Sequence, residues 1–470
     1  MSRKATARGW SRCVLLSRQG VLGALSLTVA TLACSPAPPS LLAGENVILV
    51  VVDTLRADHL GCYGYERTTS PFIDSLASRA VLFEDVTSAS SHTVPSVISL
   101  WSAVYPHRHG NQYFPHTNSF RAPRKRVRPH VPDSLRLLSE YLGSAGYRTA
   151  AVVTNPWMQP RYGFARGFDD YRFLHNARWT DHQGAARVNE VARGLLEEWG
   201  DAPFFLYLHY MDVHGPYEPP GAYREQFTGG SRGSDVYRNG PLPDAKPLDV
   251  GFTRALYDGG IRGFDDELRA LVSHLAARGI LESTLLVFAA DHGEEFHEHG
   301  GMGHGWTLYE EVTRTPLFFV HPALGAAGRR VSGPVSTVDI LPTLLELVGA
   351  DVPSGLDGIS LAPWILDPSL DRRPPLRPLL SELGTQLAIR RGNHKLIQAR
   401  DQTGAEAFDL HLDRGEQRPL GDVSWRSRLE QEMERLIRPD AGEDLAPKEA
   451  IAEKEERAFQ ERLRALGYVE

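Results

Sequence analysis

Short apolar runs alternate with longer amphipathic stretches along most of the chain. "NVILVVV" (46–52), "RTAAVVT" (148–154), "FFLYLHY" (204–210), "TLLVFAA" (284–290) and "PLFFVH" (316–321) are too short for helices and rich in β-branched and aromatic residues. They predict parallel strands buried on both faces. Between them, "SPFIDSLASRA", "DSLRLLSEYLGSAG" and "FDDELRALVSHLAARG" repeat apolar residues at three- and four-residue intervals, the mark of helices covering a sheet. Strand and helix in turn predict an α/β fold with a large, mostly parallel sheet flanked by helices.

One further helix is predicted inside "SSHTVPSVISLWSAVYPHRHG", where Val97, Ile98, Leu100, Trp101 and Val104 share a face and Pro95 suits the first helical position. Thr93 then falls at or just before the helix N-terminus. An N-cap threonine is the ordinary reading of such a residue. The same place, with free backbone N–H groups, also favours an anion.

Several strands end in polar groups: Asp53 after the first, Asp212 and His214 after "FFLYLHY", and Asp291-His292 after "TLLVFAA". Ligands of open α/β sheets bind just beyond the strands' carboxyl ends, so these groups are expected at one edge. Asp53, Asp291 and a neutral His292, completed by a deprotonated Thr93, make a mixed oxygen and nitrogen set. It suits one divalent ion, zinc or manganese rather than calcium, which takes more oxygens. Bound to the threonine oxygen, such an ion would make it a nucleophile near neutral pH. Asp212 with His214, or His297 with His299, would be the source of any second metal; a solvated polar loop is the plainer reading of the latter pair. Arg56 either meets a substrate oxygen or pairs with Asp58, while His107 and His109 read as turn and packing residues.

Composition narrows the setting. With 470 residues, 42% of them hydrophobic, the chain can bury a large core. Residues 1–33 begin with Arg3, Lys4, Arg8, Arg12 and Arg18 and continue into "VLGALSLTVATLAC", an export leader rather than a membrane span. The leader ends like a bacterial lipobox, although Thr31 stands where leucine is usual, so a lipid on Cys34 would attach the protein to an envelope membrane; plain secretion is the alternative. Losing five leader cations makes the formal charge of −7 more negative still, which argues against nucleic acid as a partner. Cys62 would be left without a disulfide partner. Residues 227–251, rich in Gly, Pro, Asp and Ser, read as a surface loop able to act as a lid. The tail at 441–470 reads as a charged amphipathic helix with Ile451, Phe459, Leu463 and Leu466 as its apolar stripe.

Taken in order, "VVDTLRADHLGCYGYERTTSPFIDSLASRAVLFEDV", "TVPSVISLWSAVYPHRHG", "MDVHGPYEPP", "FAADHGEEFHEHGGMGHGWTLYEEVTRTPLFFVH", "AIRRGNHKLIQ" and "LRALGYVE" resemble the sulfatases of the alkaline phosphatase superfamily. The resemblance implies an alkaline-phosphatase-like sandwich, a catalytic domain over 45–375 and a smaller C-terminal antiparallel-sheet subdomain over 376–440. It also implies metal ligands at Asp53, Thr93, Asp291 and His292, and substrate-site roles for His214 and His304. Sulfatases convert a cysteine or serine at the Thr93 position to formylglycine and carry an arginine at the Val97 position; threonine cannot follow that route. They also have a second aspartate where Thr54 stands, often asparagine at His292, and lysine near His304. These departures resemble the threonine-nucleophile branches of the superfamily, which act on phosphoesters. The implied activity is metal-dependent hydrolysis of a phosphodiester or phosphonate, on a small-molecule, lipid or sugar ester, through Thr93. The alternatives are a sulfuric ester hydrolase without formylglycine, a phosphoryl-fragment transferase, and a non-catalytic metal-binding scaffold.

Overall fold

The computed structural model describes residues 41–437 except 115–118, 123–124, 128, 175–183, 201, 232, 326–327, 368 and 370–372, together with the backbone of Ser11–Cys13 and Cys34–Pro36. The apolar leader stretch and the tail helix fall outside the described residues. Among the described residues no helix is long and apolar enough to cross a membrane.

The main sheet contains β1 (Asn46–Val52), β2 (Val81–Thr87), β3 (Arg148–Val153), β4 (Asp170–Phe173), β5 (Phe204–Tyr210), β6 (Thr284–Ala290), β7 (Arg314–Val320) and β8 (Arg329–Ser336). Its spatial order is β8-β2-β7-β6-β1-β5-β3-β4. Alternate residues of β1 face opposite ways: Val47, Leu49 and Val51 enter one core layer, and Ile48, Val50 and Val52 the other. This period of two is why the strand reads as an unbroken apolar run. Helices α1 (Pro71–Ala77), α2 (Thr93–Ser102), α3 (Leu138–Ser144), α4 (Gly184–Glu198), α5 (Pro247–Ala277) and α6 (Ile340–Leu347) cover the two faces.

Two expectations need correction. The 316–321 run is not parallel: β7 is antiparallel to both neighbours, β6 and β2. The reason lies in its connection. Residues 291–313 contain only short strands and one four-residue helix, so the chain never crosses back over the sheet and must re-enter from the edge where β6 ended. The 227–251 segment is also less loop-like than its composition suggests. Its start lies in the helix Gly221–Thr228 and its end in α5, while Gly240–Pro241 pairs with Gly301–Met302.

A four-stranded antiparallel meander follows, β9 (Leu379–Glu382), β10 (Gln386–Arg391), β11 (His394–Ala399) and β12 (Ala405–Asp409), packed by α7 (Arg426–Leu436). It buttresses the loop before α2. The Glu382 N–H donates to the Ala89 carbonyl at 2.9 Å, and the Ser90 hydroxyl to the Glu382 carbonyl at 2.6 Å.

A second seam joins the meander to the loop after β6. His299 bonds Glu311 at 2.6 Å through Nδ1 and the Glu416 carbonyl at 3.1 Å through Nε2, with its ring stacked on Tyr309. Burial opposes the imidazolium, but the Glu311 contact raises its pKa to about 9. Burial likewise lifts Glu295 and Glu416 to about 7. In each case the folded state holds a proton that the unfolded chain would release at lower pH, so stability must fall as pH rises. The His299 contribution is complete below about pH 6.5 and is lost through about pH 9, on the order of 2 kcal/mol. Thermal melts across that range should show a falling Tm, and His299→Gln should flatten the alkaline half of the curve.

Candidate active site

β6, β1 and β5 are adjacent and parallel, with Val52 level with both Ala290 and Tyr210. Their carboxyl ends therefore deliver Asp53 and Asp291 side by side, and both are fully buried or nearly so. Thr93 arrives from the other side, at the start of α2. The residues before it, "SASSH", are all buried, and their hydroxyls satisfy an otherwise unpaired loop. Ser88 Oγ donates to the Asp291 carbonyl, and Ser96 Oγ to the Ser90 carbonyl at 2.8 Å. Thr93 is not the cap of its helix: His92 holds that position, its Nδ1 accepting from the Val94 N–H. The threonine hydroxyl is thereby freed to face the strand ends.

Four donor atoms converge there. His292 Nε2 lies 3.3 Å from Thr93 Oγ1, 3.5 Å from Asp291 Oδ2 and 3.6 Å from Asp53 Oδ1. Both of these carboxylate oxygens are buried without a hydrogen-bond partner. The other oxygen of each acid is held: Asp291 Oδ1 accepts from the His292 and Thr54 N–H groups, and Asp53 Oδ2 accepts from Asn155 Nδ2 at 2.6 Å and His209 Nε2 at 3.0 Å. Thr54 itself is a buried β-branched residue at φ 60°, a conformation that β-branched side chains rarely adopt. Gly293 admits no side chain, because a Cβ there would sit 2.1 Å from the Glu311 carbonyl oxygen.

Burial pushes both carboxyls up, and the outcomes differ. Asp53 is nevertheless held well below the usual range, chiefly by the His209 hydrogen bond. Asp291 is raised well above it by burial and by the neighbouring Asp53 charge.

His214 and His304 both reach this centre. Their rings lie 5.0 Å apart, and His304 is 4.5 Å from the His292 ring. Desolvation lowers His214 to about 4 and drives His304 and His92 well below their ordinary values, so all three are neutral near pH 7. His304 Nδ1 bonds Glu294 at 2.7 Å, which also accepts from Tyr217 at 2.7 Å; burial raises Glu294 to about 7. The 227–251 segment does face the site. Asn239 accepts from the His304 N–H at 3.1 Å, and the Tyr237 ring packs against Gly215 and Tyr217.

Other candidates lie elsewhere. Arg56 is occupied by Asp58, Glu298 and the Glu294 carbonyl. Asp212 accepts from the Ala185 N–H at the start of α4. His297 and His299 are not a solvated loop: they pin it to the Leu242 carbonyl and to Glu311. His109 is buried against Ser99, and His107 pairs with Glu382. Sequence reasoning missed His209, which reads as one more core position inside "FFLYLHY". It also missed Asn155, whose place just past β3 before a proline reads as a turn.

The sulfatase family model matches residues 45–350. The chain belongs to the sulfatase family. Within the curated relatives, it is 25% identical over 430 residues to the Δ4,5-hexuronate-2-O-sulfatase of Bacteroides thetaiotaomicron, covering 80% of this chain and 84% of that one. It is 24% identical over 363 residues to the uncharacterized sulfatase YidJ of Escherichia coli, covering 67% and 69%. The phosphonate monoester hydrolase of Agrobacterium radiobacter shares the fold with a TM-score of 0.67 at 20% identity, covering 84% of this chain and 95% of that one. The large mostly parallel sheet with its small C-terminal antiparallel sheet is the architecture of this family, and the protein is an ester hydrolase.

Sulfatases are metal-dependent, and the donor set fits a divalent ion. Spacings of 3.3–3.6 Å from His292 Nε2 to three oxygens are those of ligands around an ion at about 2.0–2.2 Å. The unpartnered Asp53 and Asp291 oxygens are the buried acceptors such an ion would satisfy. Asp53, His209 and Asp291 also cluster, but His209 Nε2 is already committed to Asp53 Oδ2.

Proposed function

We propose that this sulfatase-family hydrolase cleaves phosphodiesters or phosphonates through a covalent phosphothreonine at Thr93, with one divalent ion held by Asp53, Asp291, His292 and Thr93. The observation that carries this reading is His292 Nε2 within 3.3–3.6 Å of the Thr93 hydroxyl and of two carboxylate oxygens, one each on Asp53 and Asp291, that lack a hydrogen-bond partner. The bound ion would supply positive charge that lowers the pKa of the hydroxyl and offsets the charge on the phosphoryl oxygens.

Thr93 gives up its proton, its oxygen bonds to phosphorus, and the ester oxygen departs with a proton. Water then attacks the phosphothreonine, releasing phosphate monoester or phosphonate and returning the hydroxyl. Neutral His214 and His304, with rings 5.0 Å apart and His304 beside His292, would hydrogen-bond the ester oxygens and the leaving group. Position at the N-terminal turn of α2 adds free N–H groups toward the same charge.

The charge of the site supports a monoanionic substrate. His214 and His304 are neutral, and Arg56 is neutralised by carboxylates. A diester or phosphonate monoester carries one negative charge, whereas a phosphate monoester carries about two near neutral pH. Sulfate esters are monoanions too, and the curated relatives named above are sulfatases. Turnover of matched chromogenic phosphodiester, phosphonate, phosphate monoester and sulfate substrates separates these readings. Diester or phosphonate turnover at least 10-fold above the others is expected; turnover of sulfate alone would defeat the phosphoryl assignment. The leader composition further supports export, with Cys34 as the lipid-bearing residue.

A further inference from the structure

The Asp53 carboxylate is gripped on one oxygen only. Oδ2 takes close hydrogen bonds from Asn155 and His209 and a longer one, 3.4 Å, from the Thr93 hydroxyl, while Oδ1 is left facing His292. Behind His209 stands Tyr207, two residues earlier on β5, its hydroxyl 2.9 Å from His209 Nδ1. All three side chains are fully buried. The direction of the chain follows from chemistry. An ionised carboxylate only accepts, so His209 Nε2 must carry the proton given to Asp53. In a neutral imidazole Nδ1 then accepts, and the Tyr207 phenol must donate to it. Successive inward-facing positions on one strand thus build a Tyr207–His209–Asp53 relay aimed at the donor cluster.

We infer that His209, held in its tautomer by Tyr207, is a positioning residue that keeps Asp53 Oδ1 turned toward the metal site. The inference rests on the metal-site reading above. His209 touches neither Thr93 nor the other proposed ligands through a hydrogen bond among the described contacts; its contribution passes through Asp53. Hydrogen-bond partners behind metal ligands typically govern affinity by about 10–100-fold.

The test measures Mn2+ affinity of the full chain by titration calorimetry, with Tm of the metal-free protein as the check on folding. His209→Phe removes the N–H and should bind Mn2+ roughly 10-fold more weakly or worse. His209→Gln keeps an N–H near the same place and should stay within about 3-fold of the parent. Tyr207→Phe deletes only the hydroxyl and should weaken binding by about 2–5-fold. Parent-like affinity in His209→Phe would overturn the inference while leaving the metal site standing. Equal weakening in the Phe and Gln variants would also overturn it, because the N–H would then not be the active feature. Should His209→Phe fail to fold, Tyr207→Phe decides alone: unchanged affinity rejects the relay. A parent chain that does not bind Mn2+, Zn2+ or Ca2+ would instead remove the reading beneath it.

Discussion

Thr93→Ala is expected to abolish turnover, with kcat on a phosphodiester or phosphonate reduced by about 10⁴-fold or more, while the folded protein persists. The magnitude follows from losing the proposed nucleophile, since what would remain is substrate binding and field stabilisation of direct water attack. Persistence of the fold follows from the structure. His92, and not Thr93, caps α2, and the Thr93 hydroxyl has only long contacts, 3.3–3.4 Å, to Asp53, His292 and Asn155. Their loss costs about 1 kcal/mol or less. Thr93→Ser keeps a hydroxyl and should retain measurable turnover. A slow substrate mixed with the parent should leave an adduct on residue 93, seen by intact mass and peptide mapping. An Ala variant that turns over at the parental rate would show that the threonine is no nucleophile.

Sequence alone reveals the elements whose residues face core on both sides, because a strand buried between two layers must be apolar throughout. β1, β5 and β6 are such strands, and they carry Asp53 and Asp291 on their ends. β2 and β8 escape notice because Glu84, Asp85 and the Arg-Ser-Gly-Pro composition of the sheet edge break the apolar run. The reversed direction of β7 is invisible in its own residues and is set by the connection before it. Proximity across the chain is legible only through topology: strand ends of adjacent parallel strands meet, so Asp53, Asp291 and His292 are expected together. His209 is illegible for the opposite reason. It sits inside an apolar strand, where burial looks like packing, and only the carboxylate facing it across 3.0 Å reveals its chemistry.

The second large effect changes sign with the metal. Metal-free protein buries Asp53 and Asp291 together, each with an oxygen lacking any hydrogen bond. Burial and the Asp53 charge hold Asp291 well above its ordinary pKa. An acid raised in the folded state binds a proton there that the unfolded chain has released, so stability falls as pH rises toward the folded value. Asp291→Asn removes that charge and should stabilise the metal-free protein by about 1–3 kcal/mol above neutral pH, with a flatter dependence of Tm on pH. The same change deletes a proposed ligand. At about 1,000 times the parental Kd, added ion should stabilise the parent by roughly 4 kcal/mol and the variant by almost nothing. The variant therefore melts above the parent in chelator and below it in saturating Mn2+ or Zn2+. Ion binding to the parent should also release protons, so its affinity rises with pH. Melting curves of both proteins, with chelator and with metal, decide the matter. If Asp291→Asn melts below the parent in both, the carboxylate is a structural partner and not a metal ligand.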